Sequence, residues 1–211
     1  MRAADASVSR IAFGAIVLGV GVLLVAVVWG GAVYPGYDHG RQFMSELGAA
    51  GAVTGPQVNG WGYIPNGALV AVFSLLAAWV LRGSALAVIA CLLLAANGVG
   101  MLGAGVYPCD FECSRSDPSP AARLHDLFAG LGYLCALLGV ALAAFWARGS
   151  SAPWLAPLGG LVLIVSVVGF YGVVAEVELM GLFQRAMEAA LAVFMLALGW
   201  ALVRGLRVRR P

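Results

Sequence analysis

Charged residues are scarce in this chain. Only 10% of its 211 residues are Asp, Glu, Lys or Arg, against about 25% in soluble domains. Hydrophobic residues make up 62%, and so few charges cannot cover the surface of a soluble protein. The composition therefore excludes a soluble globular domain and a disordered chain. It also argues against nucleic-acid binding, which depends on a dense basic surface.

Other polar residue types are equally sparse. Lysine is absent, so all twelve basic residues are arginine. There are two histidines, His39 and His125, and four cysteines. The absence of lysine carries no functional weight. The scarcity of histidine and cysteine limits the chemistry that the chain can perform to very few positions.

Apolar residues, by contrast, fall in six long blocks. They cover residues 11–33, 61–81, 84–106, 122–147, 154–174 and 182–203. About 20 apolar residues in a helix cross the hydrocarbon core of a bilayer. The first block has 23 residues, longer than the roughly 7–15 of a signal-peptide core, so we interpret it as a retained span. We predict an all-α fold: a single integral membrane domain over residues 1–211 with six transmembrane helices.

The arginines are distributed unevenly across this topology. One side would carry eight arginines and a single acid, Asp5, while the other would carry four arginines and nine acids. Cytoplasmic loops of membrane proteins are enriched in basic residues. Both termini are therefore predicted to be cytoplasmic, and residues 34–60 and 107–121 to be external. The arginines at 207, 209 and 210 suit anionic lipid of the inner leaflet.

The first external loop contains a dense polar cluster. On a helical wheel, residues 38–48 place their polar side chains on one arc and Phe43, Met44 and Leu47 on the other. This pattern predicts a short amphipathic helix at the outer interface or in the mouth of the bundle. Two interpretations stay open: a surface helix with solvated charges, or a functional face.

Several short motifs resemble a known family. Residues 34–39 (YPGYDH) and 42–48 (QFMSELG) resemble the opening signature of the bacterial "domain of unknown function 998" membrane family. The YPCD run at 107–110 and the pairs at 124–125 (LH) and 184–185 (QR) resemble its later signatures. The resemblance implies a six-span protein of the bacterial inner membrane. It carries over no catalytic role, because the family has no established activity.

Cys109 and Cys113 lie four positions apart in the second external loop. Thiols outside the cytoplasm are readily oxidised. We therefore favour a disulfide between them over free thiols or a thiolate metal pair. Because the ring is very small, its expected role is to shape the loop.

Ionisable and amide side chains also occur at the ends of the predicted spans. His125 and Asp126 lie in the first turns of the fourth span. Arg185 and Glu188 share one face of the sixth span and could form a structural ion pair. Alternatively, Glu188 faces a wet cavity, because a carboxylate at that depth is costly without a partner or water.

These observations predict a polar pocket at the external face that binds a membrane lipid or another amphipathic ligand. Its candidate residues are Asp38, His39, Gln42, Ser45, Glu46, Asn66, His125, Asp126, Gln184, Arg185 and Glu188. The alternative is a hydrolase of the outer leaflet, with a histidine as base or metal ligand and a carboxylate supporting it. Transport is least favoured, because few polar residues lie deep in the spans. The sequence assigns no cofactor, metal or oligomeric state.

Overall fold

The computed structural model describes residues 3–206, and it is all-helical over that range. Arg2, Arg207, Arg209 and Arg210, which contribute to the charge argument, lie outside the described residues. Six helices are long and apolar enough to cross a membrane, as predicted. They are α1 (Ala3–Val33), α2 (Gly55–Val80), α3 (Ala85–Val106), α4 (Pro120–Ala147), α5 (Leu155–Val174) and α6 (Met180–Val203).

Local signals set the helix boundaries. The Ser84 and Ser119 side chains cap α3 and α4, and Pro120 occupies the first position of α4. Two helices begin six or more residues earlier than their apolar blocks. The polar first turns of α1 lie outside the apolar run, and Asp5 there pairs with Arg82 at 3.0 Å. Helix α2 starts at Gly55, and six of its residues, Val58–Tyr63, form a π-helical stretch.

The six helices form a closed ring. Each helix packs against its neighbours in the chain, and α6 returns to pack against α1. The core between them is apolar, with Ile16, Phe73, Leu94 and Phe194 fully buried. The ring places all the long connections at one end of the bundle.

Glycines bring the backbones of neighbouring helices together. A methyl group added at Gly100 in α3 would lie 2.7 Å from the Cα of Gly132 in α4, which is too close. At Gly98 it would lie 2.7 Å from the Gly67 carbonyl of α2. These approaches follow the small-residue packing that membrane helices use, and they hold α2, α3 and α4 in a fixed arrangement around the site.

The two ends of the bundle differ in their connections. We call the end that carries residues 34–54, 107–119 and 175–179 the loop face. The opposite end, the terminal face, carries the start of α1, the end of α6 and the short links at 81–84 and 148–154.

The first loop differs from its prediction as a helix over 38–48. Helical conformation is confined to Met44–Gly48, which is a 3-10 helix. Asp38 Oδ1 accepts from the Gly40 and Arg41 main-chain N–H groups, and the Asp38 N–H donates to Gln42 Oε1 at 2.8 Å. These side chains satisfy the local backbone and so favour turns over a helix. We call residues 42–48 the lid, because they lie across the end of the bundle.

Candidate functional site: a polar cavity beneath the lid

Side chains from the bundle anchor the lid. The Met44 N–H donates to Gln184 Oε1 at 2.7 Å, and the Tyr63 hydroxyl donates to the Met44 carbonyl. Arg185 donates to the Gln42 carbonyl at 3.0 Å and to the Tyr37 hydroxyl at 2.5 Å. The lid is thereby fastened to both α2 and α6 across the loop face.

The end of the lid is fastened to the start of α2. The Thr54 hydroxyl donates to the Leu47 carbonyl at 2.6 Å, and Asn59 Nδ2 donates to the Gly48 carbonyl at 2.8 Å. Asn59 and Tyr63 both belong to the π-helical stretch of α2. That stretch therefore directs two side chains of α2 at the lid, consistent with the frequent use of π-bulges at functional sites.

Glu46 shapes the lid from within. Its Oε1 accepts from the Phe43 N–H at 2.8 Å, and its Oε2 accepts from Gln42 Nε2 at 2.7 Å. Burial raises the pKa of this carboxyl, and the two hydrogen bonds oppose that rise. Both carboxylate oxygens of Glu46 therefore accept hydrogen bonds that hold the lid in its conformation.

The Cys109–Cys113 disulfide is present, as predicted, and lies against the lid. The Ser45 hydroxyl oxygen lies 3.3 Å from Cys113 Sγ, and the Ala50 N–H donates to the Cys109 carbonyl at 2.8 Å. The disulfide loop and the first loop therefore form one continuous cover. Cys91 and Cys135 are free thiols.

A cavity of about 40 Å³ lies directly beneath the lid. A space of this size holds a few water molecules. Its polar lining comes from the lid, α2, α3, α4 and α6: Ser45, Tyr63, Asn97, His125, Tyr133, Gln184 and Glu188. We call it the inner cavity.

A chain of hydrogen bonds crosses the inner cavity. Gln184 Nε2 donates to the Tyr133 hydroxyl oxygen at 3.4 Å, and the Tyr133 hydroxyl donates to Glu188 Oε1 at 2.7 Å. On the wall formed by α3 and α4, Asn97 Nδ2 donates to the Gly132 carbonyl at 3.2 Å. Glu188 therefore lies within a membrane-spanning helix, and the Tyr133 hydroxyl is the hydrogen-bond donor to its carboxylate.

His125 is oriented by the backbone of α3. Its Nδ1 lies 2.9 Å from the Ala104 carbonyl and 3.0 Å from the Tyr107 carbonyl. Both carbonyls can only accept, so Nδ1 carries a proton that the two share. Nε2 has no hydrogen-bond partner among the described residues, and the side chain lines the inner cavity.

A wider pocket adjoins the inner cavity and lies between α4 and α5. It has a volume of about 330 Å³, and we call it the vestibule. Ser45, His125, Ala129, Tyr133 and Gln184 line both spaces and form the boundary between them.

The walls of the vestibule differ in polarity. Phe170, Val173 and Val174 of α5 give it an apolar wall, while Arg115 and Asp126 give it a polar rim. Arg115 forms an ion pair with Glu176 at 2.7 Å, which joins the second loop to the turn after α5.

The structure brings together only some of the candidate residues. Ser45, His125, Gln184 and Glu188 line the inner cavity, and Asp126 lies on the rim of the vestibule. Asn66 instead donates to the Gly19 carbonyl at 2.9 Å and lines a separate space of about 20 Å³ deeper in the bundle. Glu188 and Asn97 line that space too.

The remaining candidates lie outside both spaces. Asp38, Gln42 and Glu46 hold the first loop in its conformation. His39 packs edge-on against the Tyr37 ring, with 5.1 Å between ring centroids. Burial lowers the pKa of His39, and the nearby Arg185 charge adds to that effect.

Of the two interpretations of Arg185 and Glu188, the ion pair is absent from the described residues. Among the ion pairs of residues 5–206, none joins these two side chains. Arg185 reaches towards the lid and donates to the Gln42 and Gly181 carbonyls, each at 3.0 Å. These two carbonyls and the Tyr37 hydroxyl accept from the terminal nitrogens of Arg185, while its Nε has no hydrogen-bond partner among the described residues. Glu188 lines the inner cavity instead.

Sequence reasoning missed two tyrosines of the site, Tyr63 and Tyr133. Aromatic residues near span ends commonly form a belt at the membrane interface. Tyr63 and Trp146 lie at such positions, as Trp61 and Trp154 do, but Tyr63 and Trp146 are buried. Trp61 and Trp154 are exposed, as a belt requires. Tyr133 lies in mid-span, where a tyrosine hydroxyl needs a partner. That requirement was the signal that could have linked Tyr133 to Glu188.

The described residues offer no ready metal site. Nowhere between residues 5 and 206 do three or more His, Cys, Asp or Glu side chains come together in a way that could hold a metal ion.

These features define a multi-pass membrane protein with six apolar helices and a small cavity, lined in part by polar side chains, beneath a lid. A family model described as "Protein of unknown function (DUF998)" matches residues 17–201, and the chain belongs to this family. No curated protein matches the chain, and neither does any solved structure.

Proposed function

We propose that this protein binds an amphipathic membrane lipid in the vestibule, with its headgroup directed at the inner cavity. One observation carries the proposal: an apolar wall of α5 and a polar rim from α4 and the second loop bound the same 330 Å³ space. Ligand pockets are commonly of this size or larger, and mostly apolar with a few converging polar groups.

Two features support an external location for the loop face in a bacterial inner membrane. The loop face has an excess of acids, and the topology predicted from the sequence assigns eight of the twelve arginines to the opposite side. The Cys109–Cys113 disulfide lies on the loop face, and disulfides persist in oxidising compartments. Under this orientation the vestibule belongs to the outer leaflet, and both termini are cytoplasmic.

The position of the vestibule suits a lipid that enters from the side. Val174, at its edge, is 56% exposed, and Asp126 on its rim is exposed as well. An acyl chain could lie along Phe170 and Val173 while the headgroup meets His125 and Gln184. Such contacts combine apolar burial of the chain with hydrogen bonds to the headgroup.

Gly130 provides the test of this binding mode. It lines the vestibule, and a Cβ added there meets no atom within 4 Å. Gly130→Phe should therefore fill the vestibule without disturbing the helices. Native mass spectrometry of the full chain purified in mild detergent would then show loss of the bound lipid. Gly160→Phe is the matched control, since Gly160 of α5 also has open space and lines neither cavity. Equal lipid retention by both variants would refute the proposal.

A second candidate function, hydrolysis of an outer-leaflet substrate, rests on His125. Its Nδ1 is held by two carbonyls, which presents Nε2 as a base towards the cavity. Hydrolysis of a lipid by the wild-type chain that His125→Gln abolishes, with lipid binding retained, would favour this function over binding alone.

A further inference from the structure

We infer that the bound headgroup carries a primary ammonium group, which Glu188 receives in the inner cavity. This inference rests on the proposed function and names the chemical class of the ligand.

The first argument is the position of Glu188. It lies eight residues into α6 from Met180, about 12 Å along the helix. Its side chain nevertheless keeps some accessible surface and lines the inner cavity. A carboxylate at such a depth calls for a partner or a wet cavity, and an ammonium group supplies the missing positive charge.

The second argument is the balance of charge around the two spaces. Arg115 is the arginine that lines the vestibule, and Glu176 already pairs with it. Asp126 and Glu188 line the two spaces without an ion-pair partner among residues 5–206. Arg185 is engaged by the lid. The unpaired charges that face a ligand are therefore negative, and they favour a cation over an anion.

The third argument is size. The inner cavity measures about 40 Å³, which suits a few water molecules. A primary ammonium group is close to water in size and has three donors. The Tyr133 hydroxyl and the Glu188 carboxylate are acceptors at the cavity wall, and the Oδ1 atom of Asn97 is another, because its Nδ2 is the atom bonded to Gly132. A trimethylammonium group has no donors for these acceptors.

The experiment compares headgroups on one acyl scaffold. Native mass spectrometry would titrate the full chain in detergent with dioleoyl phosphatidylethanolamine, phosphatidylcholine and phosphatidylglycerol. We expect the ethanolamine lipid to bind at least about tenfold more tightly than the other two, since a charge-assisted hydrogen bond is worth that much. This comparison uses the wild-type chain and so does not depend on the folding of a variant.

Two variants test whether the Glu188 carboxylate is the source of the preference for the ethanolamine lipid. Glu188→Gln should lower the affinity for the ethanolamine lipid about tenfold and leave that for phosphatidylglycerol unchanged or higher. Glu178→Gln is the matched control, because Glu178 is an exposed loop-face carboxylate paired with Arg41 and lines neither space. It should keep the full preference.

The outcomes separate this inference from the proposed function. Equal binding of the ethanolamine and choline lipids, or tighter binding of phosphatidylglycerol, would overturn the ammonium site while Gly130→Phe could still show a lipid in the vestibule. If free ethanolamine displaced the bound lipid at a concentration similar to that of the lipid, the site would be one for a soluble amine. That result would overturn the assignment of a lipid ligand. Absence of binding by all three lipids would refute both.

Discussion

Met44 and Gln184, 140 positions apart in the chain, are joined by a hydrogen bond of 2.7 Å from the Met44 N–H to Gln184 Oε1. Both residues are buried and both line the inner cavity. The bond ties the middle of the lid to α6, one turn before Glu188. The closure of the cavity and the environment of Glu188 therefore depend on the same contact.

Removal of this contact should loosen the lid. Gln184→Leu leaves the buried Met44 N–H without its acceptor, which costs about 1–3 kcal/mol. We expect a lower unfolding temperature in detergent and faster hydrogen exchange at residues 43–48. Gln57→Leu, at an exposed position near the start of α2, should change neither. Unchanged exchange of the lid in Gln184→Leu would show that other contacts hold it closed.

The disulfide should stabilise the loop face modestly. The loop that it closes spans a sequence separation of four, and chain-entropy arguments give about 2 kcal/mol for so small a ring. The Cys109→Ala, Cys113→Ala double variant should unfold at a lower temperature, and reduction of the wild-type chain should give a similar shift. Reduction should leave the double variant unaffected. Full alkylation of both cysteines in unreduced membranes would contradict the disulfide.

His39 should make stability depend on pH in the mildly acidic range. Its pKa in the folded chain is lowered by burial and by Arg185, so the fold favours the neutral ring. The stabilisation is fully present above the unfolded pKa of about 6.5 and is lost as the pH falls through the folded pKa. His39→Gln should therefore lose less stability between pH 7.5 and pH 5 than the wild-type chain. Parallel melting curves for both chains would disprove a contribution from His39.

The orientation predicts which loops are accessible from each side. Reporter fusions should place residues 107–121 outside and residues 148–153 in the cytoplasm, because the topology predicted from the sequence puts eight of the twelve arginines on the side of residues 148–153. A fusion at residue 150 that reports an external location would reverse the orientation and move the vestibule to the inner leaflet.

The length and composition of the apolar blocks were sufficient to predict the six helices. Span length is a local property, so the prediction did not depend on knowledge of the packing. Small residues such as glycine permit close helix approach in membranes, and Gly98 and Gly100 of α3 meet neighbouring backbones. The disulfide followed from the spacing of Cys109 and Cys113 and their loop position.

The details of the site could not be predicted in the same way. The periodicity of residues 38–48 indicated a helix, but Asp38 and Gln42 bond to nearby main-chain groups and favour turns. Arg185 and Glu188 have the spacing of an ion pair, but Arg185 donates to the Gln42 carbonyl, 143 positions away. Local side-chain-to-backbone bonds override the helical pattern in the first case, and a long-range contact overrides it in the second.

The most direct test of a lipid in the vestibule is an experimental structure of the full chain in nanodiscs made from bacterial lipid. The account predicts acyl-chain density between α4 and α5 along Phe170 and Val173, with headgroup density that reaches past His125 towards Glu188. A vestibule that holds only water, with ordered lipid confined to the outer surface of the bundle, would contradict it.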